Sequence, residues 1–307
     1  MYKAHFGLRK NPFELSPDPY FFYPSARHNE ALANIYYGVR KRKGFVVVTG
    51  EVGTGKTLLV RCLIDILSKN QIAFAYVFNT RLTDLEFLRY IAGDLSISPV
   101  AASKSDVLLQ LNDFLIARHR LGQTTVLIVD EAQDLEWEVL EEIRLLTNLE
   151  TAQEKLLQIV LIGQPELEYK LDTHNLRQLK QRIAFRSRLD PLDEKQAEEY
   201  IVRRLQLAGA TANAQTIFPA PAISAIYRYS KGIPRLINTL CENAMISAYA
   251  RQASAVTVEM VDEVAEDFRL DIIAEPSAPT NGTQSRAVLK RLLEVLQGTE
   301  TTEQPKL

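Results

Sequence analysis

Cysteine is scarce in this chain, with two residues among 307. Cys62 and Cys241 lie far apart, and neither stands in a metal-ligand spacing or a CxxC pair. The sequence therefore excludes a disulfide framework and a thiolate metal site. Both lie in apolar, helical stretches, and we expect both to be reduced residues of the core.

Long hydrophobic runs and a large net charge are also missing. No run approaches the ~18 apolar residues that a membrane helix needs, and the N-terminal sequence has no apolar stretch of secretory length. The formal net charge of −2 provides no global field for nucleic acid or an anionic membrane, so such contacts would need a local patch. We expect a cytoplasmic protein without a transmembrane segment.

Short apolar runs alternate with stretches of helical periodicity in the first two thirds of the chain. A helix is predicted over 25–42, and strands are predicted over 45–49, 72–78, 125–129 and 157–162. A further helix, rich in leucine, is predicted from 56 to about 69. Strands that alternate with helices predict an α/β fold, with a parallel sheet flanked by helices.

Strand signals nearly vanish after Pro191, and amphipathic helices are predicted over 193–208, 220–230, 234–251 and 258–268. We therefore divide the chain into an aromatic and proline-rich segment (1–24), an α/β nucleotide-binding domain (25–191) and an all-helical domain (192–270). A flexible linker (271–284) and a tail (285–307) follow. The tail contains a short amphipathic pattern over 285–296, which indicates either a helix that binds a partner or a solvated helix.

The strongest motif is a match to GxxxxGK[ST] between a predicted strand and the start of a helix. It comprises Gly50, Glu51, Val52, Gly53, Thr54, Gly55, Lys56 and Thr57. In such a P-loop the backbone N–H groups surround phosphate oxygens at a helix N-terminus, where the partial positive charge favours an anion. We expect Lys56 to contact the β- and γ-phosphates of ATP, and Thr57 to ligate Mg²⁺.

Two adjacent carboxylates end the predicted strand over 125–129, in the position of a Walker B motif. A carboxylate at the end of a buried strand is costly unless it faces a cation, so Asp130 is predicted to hold Mg²⁺. Glu131 is predicted to be the general base that polarises the attacking water. Together with the P-loop, these residues predict an ATPase.

Two polar residues follow other predicted strands. Gln164 lies at the carboxyl end of the strand over 157–162 and is our candidate sensor of the γ-phosphate. A turn residue in the Gly-Gln-Pro sequence is the alternative. Asn79 either restrains Glu131 until a partner binds or is an ordinary loop asparagine.

Arginines supply the remaining candidates. Arg182 is predicted to act in trans on the phosphate of a neighbouring subunit, with Arg186 and then Arg188 as alternatives. These three residues could also be solvated arginines. Arg235 opens a helix of the second domain, where a cation is unfavourable to the helix dipole. We expect it to contact the γ-phosphate, and an ordinary helix N-terminus is the alternative.

Two further features have competing interpretations. The basic run over 40–43 complements the dipole at a helix C-terminus, and this reading is favoured over contact with nucleic acid or an anionic surface. His28 lies close in sequence to the P-loop strand. It is either an adenine contact or a surface histidine.

The chain closely resembles the ExeA/GspA family of AAA+ ATPases over about residues 1–270. The resemblance is carried by the opening sequence to Leu32 and by GEVGTGKT, VDEAQDL, EEIRLLTNLET, IGQPEL and KGIPRLIN. It implies an AAA+ core with a C-terminal helical lid, ATP hydrolysis in a homo-oligomeric ring or filament, and an inner-membrane or envelope-assembly partner in type II secretion. Family members usually continue into a transmembrane helix and a peptidoglycan-binding domain. The sequence to Leu307 contains neither, so the resemblance does not extend to direct peptidoglycan binding.

Two alternative functions remain at this point. Related ATPases act in transposition as regulators that form filaments on DNA, which predicts DNA binding that depends strongly on salt. A nucleotide switch that binds ATP without appreciable turnover is the other alternative.

Overall fold

The computed structural model describes residues 2–99, 102–210 and 214–270. The chain divides into a compact unit, Met1–Ala265, and a second unit, Glu266–Leu307. The predicted linker (271–284) and the predicted tail with its helix over 285–296 lie outside the described residues. The boundary that we place between residues 191 and 192 falls within the first unit and stays a prediction.

The described elements alternate as an α/β protein and then become helical. The strands are β1 (Phe45–Gly50), β2 (Ala73–Val77), β3 (Thr125–Val129), β4 (Leu157–Gly163) and β5 (Ile183–Leu189). The helices are α1 (Tyr2–His5), α2 (Ala26–Arg40), α3 (Lys56–Lys69), α4 (Asp84–Asp94), α5 (Lys104–Arg120), α6 (Trp137–Leu146), α7 (Glu166–Leu171), α8 (Arg177–Lys180), α9 (Glu194–Leu207), α10 (Ala214–Ile217), α11 (Ala220–Ser230), α12 (Pro234–Ala250) and α13 (Val258–Asp267).

The five strands form one parallel sheet in the order β2-β3-β4-β1-β5. Successive residues of a strand point to opposite faces, and the two faces of β1 are both buried. Val47 packs into a cluster with α4, α5 and α6, whereas Val46 and Val48 pack with α2 and α3. The sheet is therefore covered on both sides, and the predicted α/β architecture is confirmed. Its carboxyl edge carries the loops that follow β1, β3 and β4.

The strands and helices begin and end close to the predicted residues where the local chemistry is strong. Ser25 caps α2, since its side chain accepts a hydrogen bond from His28 N, and Asp193 forms a capping box with Gln196 at the start of α9. The strand β5 was missed. It alternates buried Ser187 and Leu189 with exposed arginines at the edge of the sheet, so it lacks the continuous apolar run of the four other strands.

The helices after β5 pack together, and the N-terminal segment lies against them. Tyr2 OH donates to both carboxylate oxygens of Glu242 on α12, at 2.8 and 2.7 Å. Phe13 is fully buried and contacts the ring of Phe218 edge to face. These contacts tie the first residues of the chain to its helical part. Among the described residues, no helix is long and apolar enough to cross a membrane.

Candidate functional site

The P-loop joins the carboxyl end of β1 to the first turn of α3. Gly53 and Gly55 have φ angles of 84° and 103°, in the left-handed region that glycine adopts without steric cost. A Cβ atom on Gly53 would lie 2.8 Å from Arg235 Cβ, and one on Gly55 would lie 2.9 Å from His28 Nε2. Both glycines are thus required by the backbone conformation and by close packing.

Lys56 is the first residue of α3, and its side chain reaches back to the start of this loop. Its Nζ atom donates to the carbonyl oxygens of Gly50 (2.7 Å) and Glu51 (3.1 Å), and the residue is 5% exposed. Burial lowers the pKa of Lys56, and the carboxylates of Glu131, Asp130 and Glu51 act against this shift. The loop itself is stabilised by the buried Thr54, whose hydroxyl donates to Glu51 O at 2.8 Å.

The two carboxylates after β3 have different surroundings. Asp130 is 4% exposed, accepts from Glu131 N (3.0 Å) and Tyr76 OH (3.2 Å), and burial raises its pKa. Glu131 is half-buried and has a φ of 51°, which is uncommon for a residue with a side chain. This backbone turn directs the chain into a short 3₁₀ helix, Ala132–Asp134.

Gln133, in that 3₁₀ helix, is a functional candidate that the sequence reasoning missed. Its Nε2 atom donates to Glu131 Oε2 at 2.9 Å, and its Oε1 atom accepts from Gln164 N at 2.9 Å. The amide therefore connects the residues that end β3 and β4. Asn79, which we considered for contact with Glu131, accepts instead from Arg81 N within its own loop, at 3.2 Å.

His28 is buried at the start of α2, so it is not a surface histidine. Its Nε2 atom lies 3.0 Å from Thr54 O, and its Nδ1 atom lies 2.7 Å from Ser25 Oγ. Burial lowers the pKa of His28. The ring packs against the P-loop main chain and supports its conformation.

Arg235 brings the helical part of the chain to the P-loop. Its main-chain N donates to Gly53 O at 3.2 Å, and its side-chain carbons pack on Gly53. Arg235 follows Pro234 in the first turn of α12. Its side chain lines the same cavity as Lys56 and Glu131.

One cavity of about 370 Å³ collects most of the predicted site residues. Its lining includes Val52, Gly53, Gly55, Lys56, Thr57, Glu131, Gln164 and Arg235. Two groups of lining residues were not predicted: residues 14–18 of the N-terminal segment, and the lid residues Tyr200, Arg204 and Asn238. The aromatic and proline-rich composition of the segment 1–24 was visible in the sequence, but the position of residues 14–18 near the P-loop depends on contacts with distant helices.

The buried Arg204 holds the N-terminal segment beside this cavity. Its guanidinium donates to Pro12 O and to Tyr200 OH, the latter at 2.8 Å, and it stacks 4.8 Å from the ring centroid of Phe21. Tyr200 OH in turn donates to Asn238 Oδ1 at 2.9 Å. A charged group is therefore buried with polar partners at the junction of three segments.

Arg182 lies away from the site of its own chain. The next residue, Ile183, pairs with Phe45 at the start of β1, whereas the P-loop follows the other end of that strand. Arg182 Nη1 donates to Thr147 Oγ1 at 2.7 Å. Arg186 and Arg188 are exposed on β5, and Arg188 pairs with Asp190 at 3.3 Å. The structure thus brings none of the three into the cavity described above.

Comparison with known proteins agrees with this geometry. Residues 39–171 match the AAA domain family. The chain is 46% identical over 252 residues to General secretion pathway protein A of Aeromonas hydrophila, which covers 82% of this chain and 45% of that protein. The chain belongs to the AAA+ proteins of the ExeA/GspA type. It spans less than half the length of this curated relative.

Solved structures share the fold of this ExeA/GspA-type chain at low identity. The ORC2 protein of Aeropyrum pernix has a TM-score of 0.62 at 17% identity, with 86% of this chain and 75% of that chain covered. Cdc6p of Pyrobaculum aerophilum has a TM-score of 0.61 at 17% identity, with 83% and 70% covered. The expected AAA+ P-loop core with a C-terminal helical lid is confirmed.

Proposed function

We propose that this chain binds ATP with Mg²⁺ and hydrolyses it to drive assembly in a cell-envelope secretion system. One observation carries the enzymatic part of this proposal. Lys56, Glu131, Gln164 and Arg235 come from four separate parts of the chain and line one cavity. Their groups are those that phosphoryl transfer requires: two cations, a candidate base and an amide.

The residues present fit ATP and Mg²⁺. The left-handed glycines turn the main chain round the N-terminus of α3, a site that favours phosphate. Thr57 is exposed on the first turn of α3, and the buried Asp130 is a carboxylate whose desolvation a cation would offset. Thr57 and Asp130 would therefore hold Mg²⁺, which neutralises charge on the phosphates when bound.

Other residues of the site contact the phosphates and accept the proton of the attacking water. Lys56 leaves the Gly50 and Glu51 carbonyls to contact the β- and γ-phosphates, since an anion is the stronger partner for its ammonium. Glu131 accepts the proton of the attacking water, and Gln164 and Arg235 orient the γ-phosphate. Arg235 thereby links nucleotide state to the lid, because it belongs to α12.

Two substitutions test the enzymatic proposal. Lys56→Ala is expected to abolish ATP binding, because nothing replaces its ammonium at the most highly charged part of the ligand. Glu131→Gln is expected to keep ATP bound while turnover falls ~10²-fold or more. Equilibrium titration and phosphate release measure the two effects. Wild-type affinity in the first variant would contradict the P-loop assignment, and wild-type turnover in the second would contradict the assignment of the base.

The secretion role is supported by the similarity to General secretion pathway protein A. As parts of the same proposal, the chain acts in the cytoplasm as a homo-oligomer and contacts an inner-membrane or envelope-assembly protein. Exchanging the chromosomal copy for Lys56→Ala is expected to reduce type II secretion, measured as the amount of secreted protein in the culture medium. Normal secretion with this allele would contradict this role.

A further inference from the structure

We propose that Gln133 is a positioning residue that fixes the carboxylate of Glu131 and couples it to the main chain of Gln164. The inference rests on the proposed function, in which Glu131 is the base. It concerns the residue that orients this base, and Gln133 itself does not line the cavity described above.

The side-chain amide of Gln133 uses its donors and its acceptor. Nε2 donates to Glu131 Oε2 at 2.9 Å and to Asp134 Oδ2 at 3.2 Å, and Oε1 accepts from Gln164 N at 2.9 Å. A primary amide has two N–H donors and one carbonyl oxygen, so each group has a partner. The amide orientation is therefore fixed by its surroundings.

The main chain around Gln133 is held as well. Lys170 Nζ, on α7, donates to the carbonyl oxygens of Gln133 (2.9 Å) and Leu135 (2.5 Å). A Cβ atom on Gly163 would lie 2.9 Å from Gln133 Oε1, so the end of β4 approaches this amide as closely as a glycine allows. Gln133 is thus clamped between α7 and β4.

These contacts of Gln133 limit the rotation of the Glu131 carboxylate. The terminal torsion of a glutamate side chain is broad, so the carboxylate of Glu131 does not by itself select one orientation. The hydrogen bond from Gln133 engages Oε2 and leaves Oε1 for the water. A neutral amide does this without neutralising the charge of Glu131, whereas a lysine at this position would form an ion pair with it.

The same amide can transmit a change at the γ-phosphate. Gln164 lines the cavity, and its main-chain N–H is the donor to Gln133. A shift of Gln164 towards a γ-phosphate therefore moves the amide that holds Glu131. Gln133 makes the position of the base depend on the residue that contacts the nucleotide.

Two variants separate the hydrogen bonds of Gln133. Gln133→Met keeps the length of the side chain and removes all three bonds, whereas Gln133→Glu keeps an acceptor for Gln164 N but no donor for Glu131. Both are expected to bind ATP as the wild type does while kcat falls roughly 10²-fold, the scale of a misplaced catalytic group. The matched control is Gln178→Met. It removes an exposed glutamine that accepts from Arg144 Nη1 (3.1 Å), and it should retain wild-type kcat.

A double-mutant cycle distinguishes positioning from a general structural role. If Gln133 acts through Glu131, the Glu131→Gln, Gln133→Met double variant has the same kcat as Glu131→Gln alone. Multiplied losses in the double variant would overturn the proposal. Wild-type kcat in both Gln133 variants, together with a reduced kcat in Glu131→Gln, would also overturn it. That result would leave the proposed function intact. Wild-type turnover in Glu131→Gln would instead overturn both, because Gln133 would then orient a residue without a catalytic role.

Discussion

His28 Nε2 lies 3.0 Å from the carbonyl oxygen of Thr54, within the turn of the P-loop. A carbonyl oxygen can only accept, so Nε2 carries the proton and Nδ1 accepts from the Ser25 hydroxyl, 2.7 Å away. The neutral ring in a single tautomer thus connects the start of α2 to the phosphate-binding loop. Protonation of the ring would keep this donor to Thr54 but would place a charge in buried surroundings, which is unfavourable.

The free energy of unfolding is expected to decrease as pH decreases, because of the titration of His28. Burial lowers the pKa of His28 from its ordinary value of 6.5, so the unfolded chain binds more protons than the folded chain between the lowered pKa and 6.5. The contribution is complete above 6.5 and is lost as pH falls through this window. From about pH 7 to about pH 5, wild type should lose more unfolding free energy than His28→Gln, which keeps an N–H donor.

Chemical denaturation at a series of pH values measures this difference, and the comparison cancels the other titrating groups. The exposed His174 provides the matched control, since His174→Gln removes a histidine without touching the P-loop. A constant stability difference between wild type and His28→Gln across the range would contradict the prediction.

Arg235→Ala is expected to weaken the binding of ATP more than the binding of ADP. The substitution keeps the main-chain bond to Gly53 O and the Cβ contact with Gly53, so it removes mainly the guanidinium. Loss of a charge-assisted hydrogen bond to the γ-phosphate would lower ATP affinity roughly 10-fold or more and leave ADP affinity unchanged. Competition titration with both nucleotides measures the ratio. Arg235→Lys is the control that keeps the charge, and equal losses for ATP and ADP would argue against a γ-phosphate contact.

Arg204→Met is expected to loosen the N-terminal segment. Methionine keeps an apolar stem against Phe21, but it removes the donors to Pro12 O and Tyr200 OH. Leaving a buried carbonyl without its donor costs about 1–3 kcal/mol. Limited proteolysis should therefore cut within residues 1–24 faster than in wild type, with a lower unfolding free energy. The exposed Arg203 supplies the control, Arg203→Met, and equal cleavage rates for the two variants would refute the assignment.

The sequence predicted those parts of the fold and site that local chemistry determines. The helix α3 begins at its predicted residue because the glycine-rich phosphate motif precedes it. The strand β3 matches its predicted residues because a continuous apolar run defines both of its ends. The placement of Gln164 at the carboxyl end of β4 was predicted from the same pattern, since the carboxyl ends of parallel strands lie at one edge of the sheet.

Contacts between distant residues could not be predicted in this way. The bonds of Tyr2 to Glu242 and of Arg204 to Pro12 connect residues whose separation in sequence leaves no periodic signal. Gln133 was not predicted as a site residue, because its contacts with Gln164 N and Gly163 join parts of the chain that are distant in sequence. The arginines of β5 were considered only as charged candidates for catalysis. Their alternation with buried residues, which is typical of an edge strand, was therefore not recognised.

The last prediction concerns Arg182 and whether two chains share one site. Arg182 lies at the amino end of β5, whereas the P-loop lies at the carboxyl end of the adjacent β1, so a catalytic role for Arg182 would have to be at the site of another chain. Arg182→Ala should then bind ATP normally and hydrolyse it ~10³-fold more slowly, the magnitude typical of a trans-acting arginine. Because the substitution also removes the bond to Thr147 Oγ1, Thr147→Val is the control for that bond and should retain turnover.

Mixing Arg182→Ala with Lys56→Ala tests the trans arrangement directly. Neither variant alone has a complete site, but a mixed interface pairs the intact P-loop of one chain with the intact arginine of the other. We expect partial recovery of phosphate release on mixing, and wild-type activity per chain that rises with protein concentration. If mixed oligomers form, as measured by co-purification of differently tagged variants, and activity still does not recover, Arg182 is not the trans-acting residue. Arg186 would then be the next candidate, because it is exposed on the same strand.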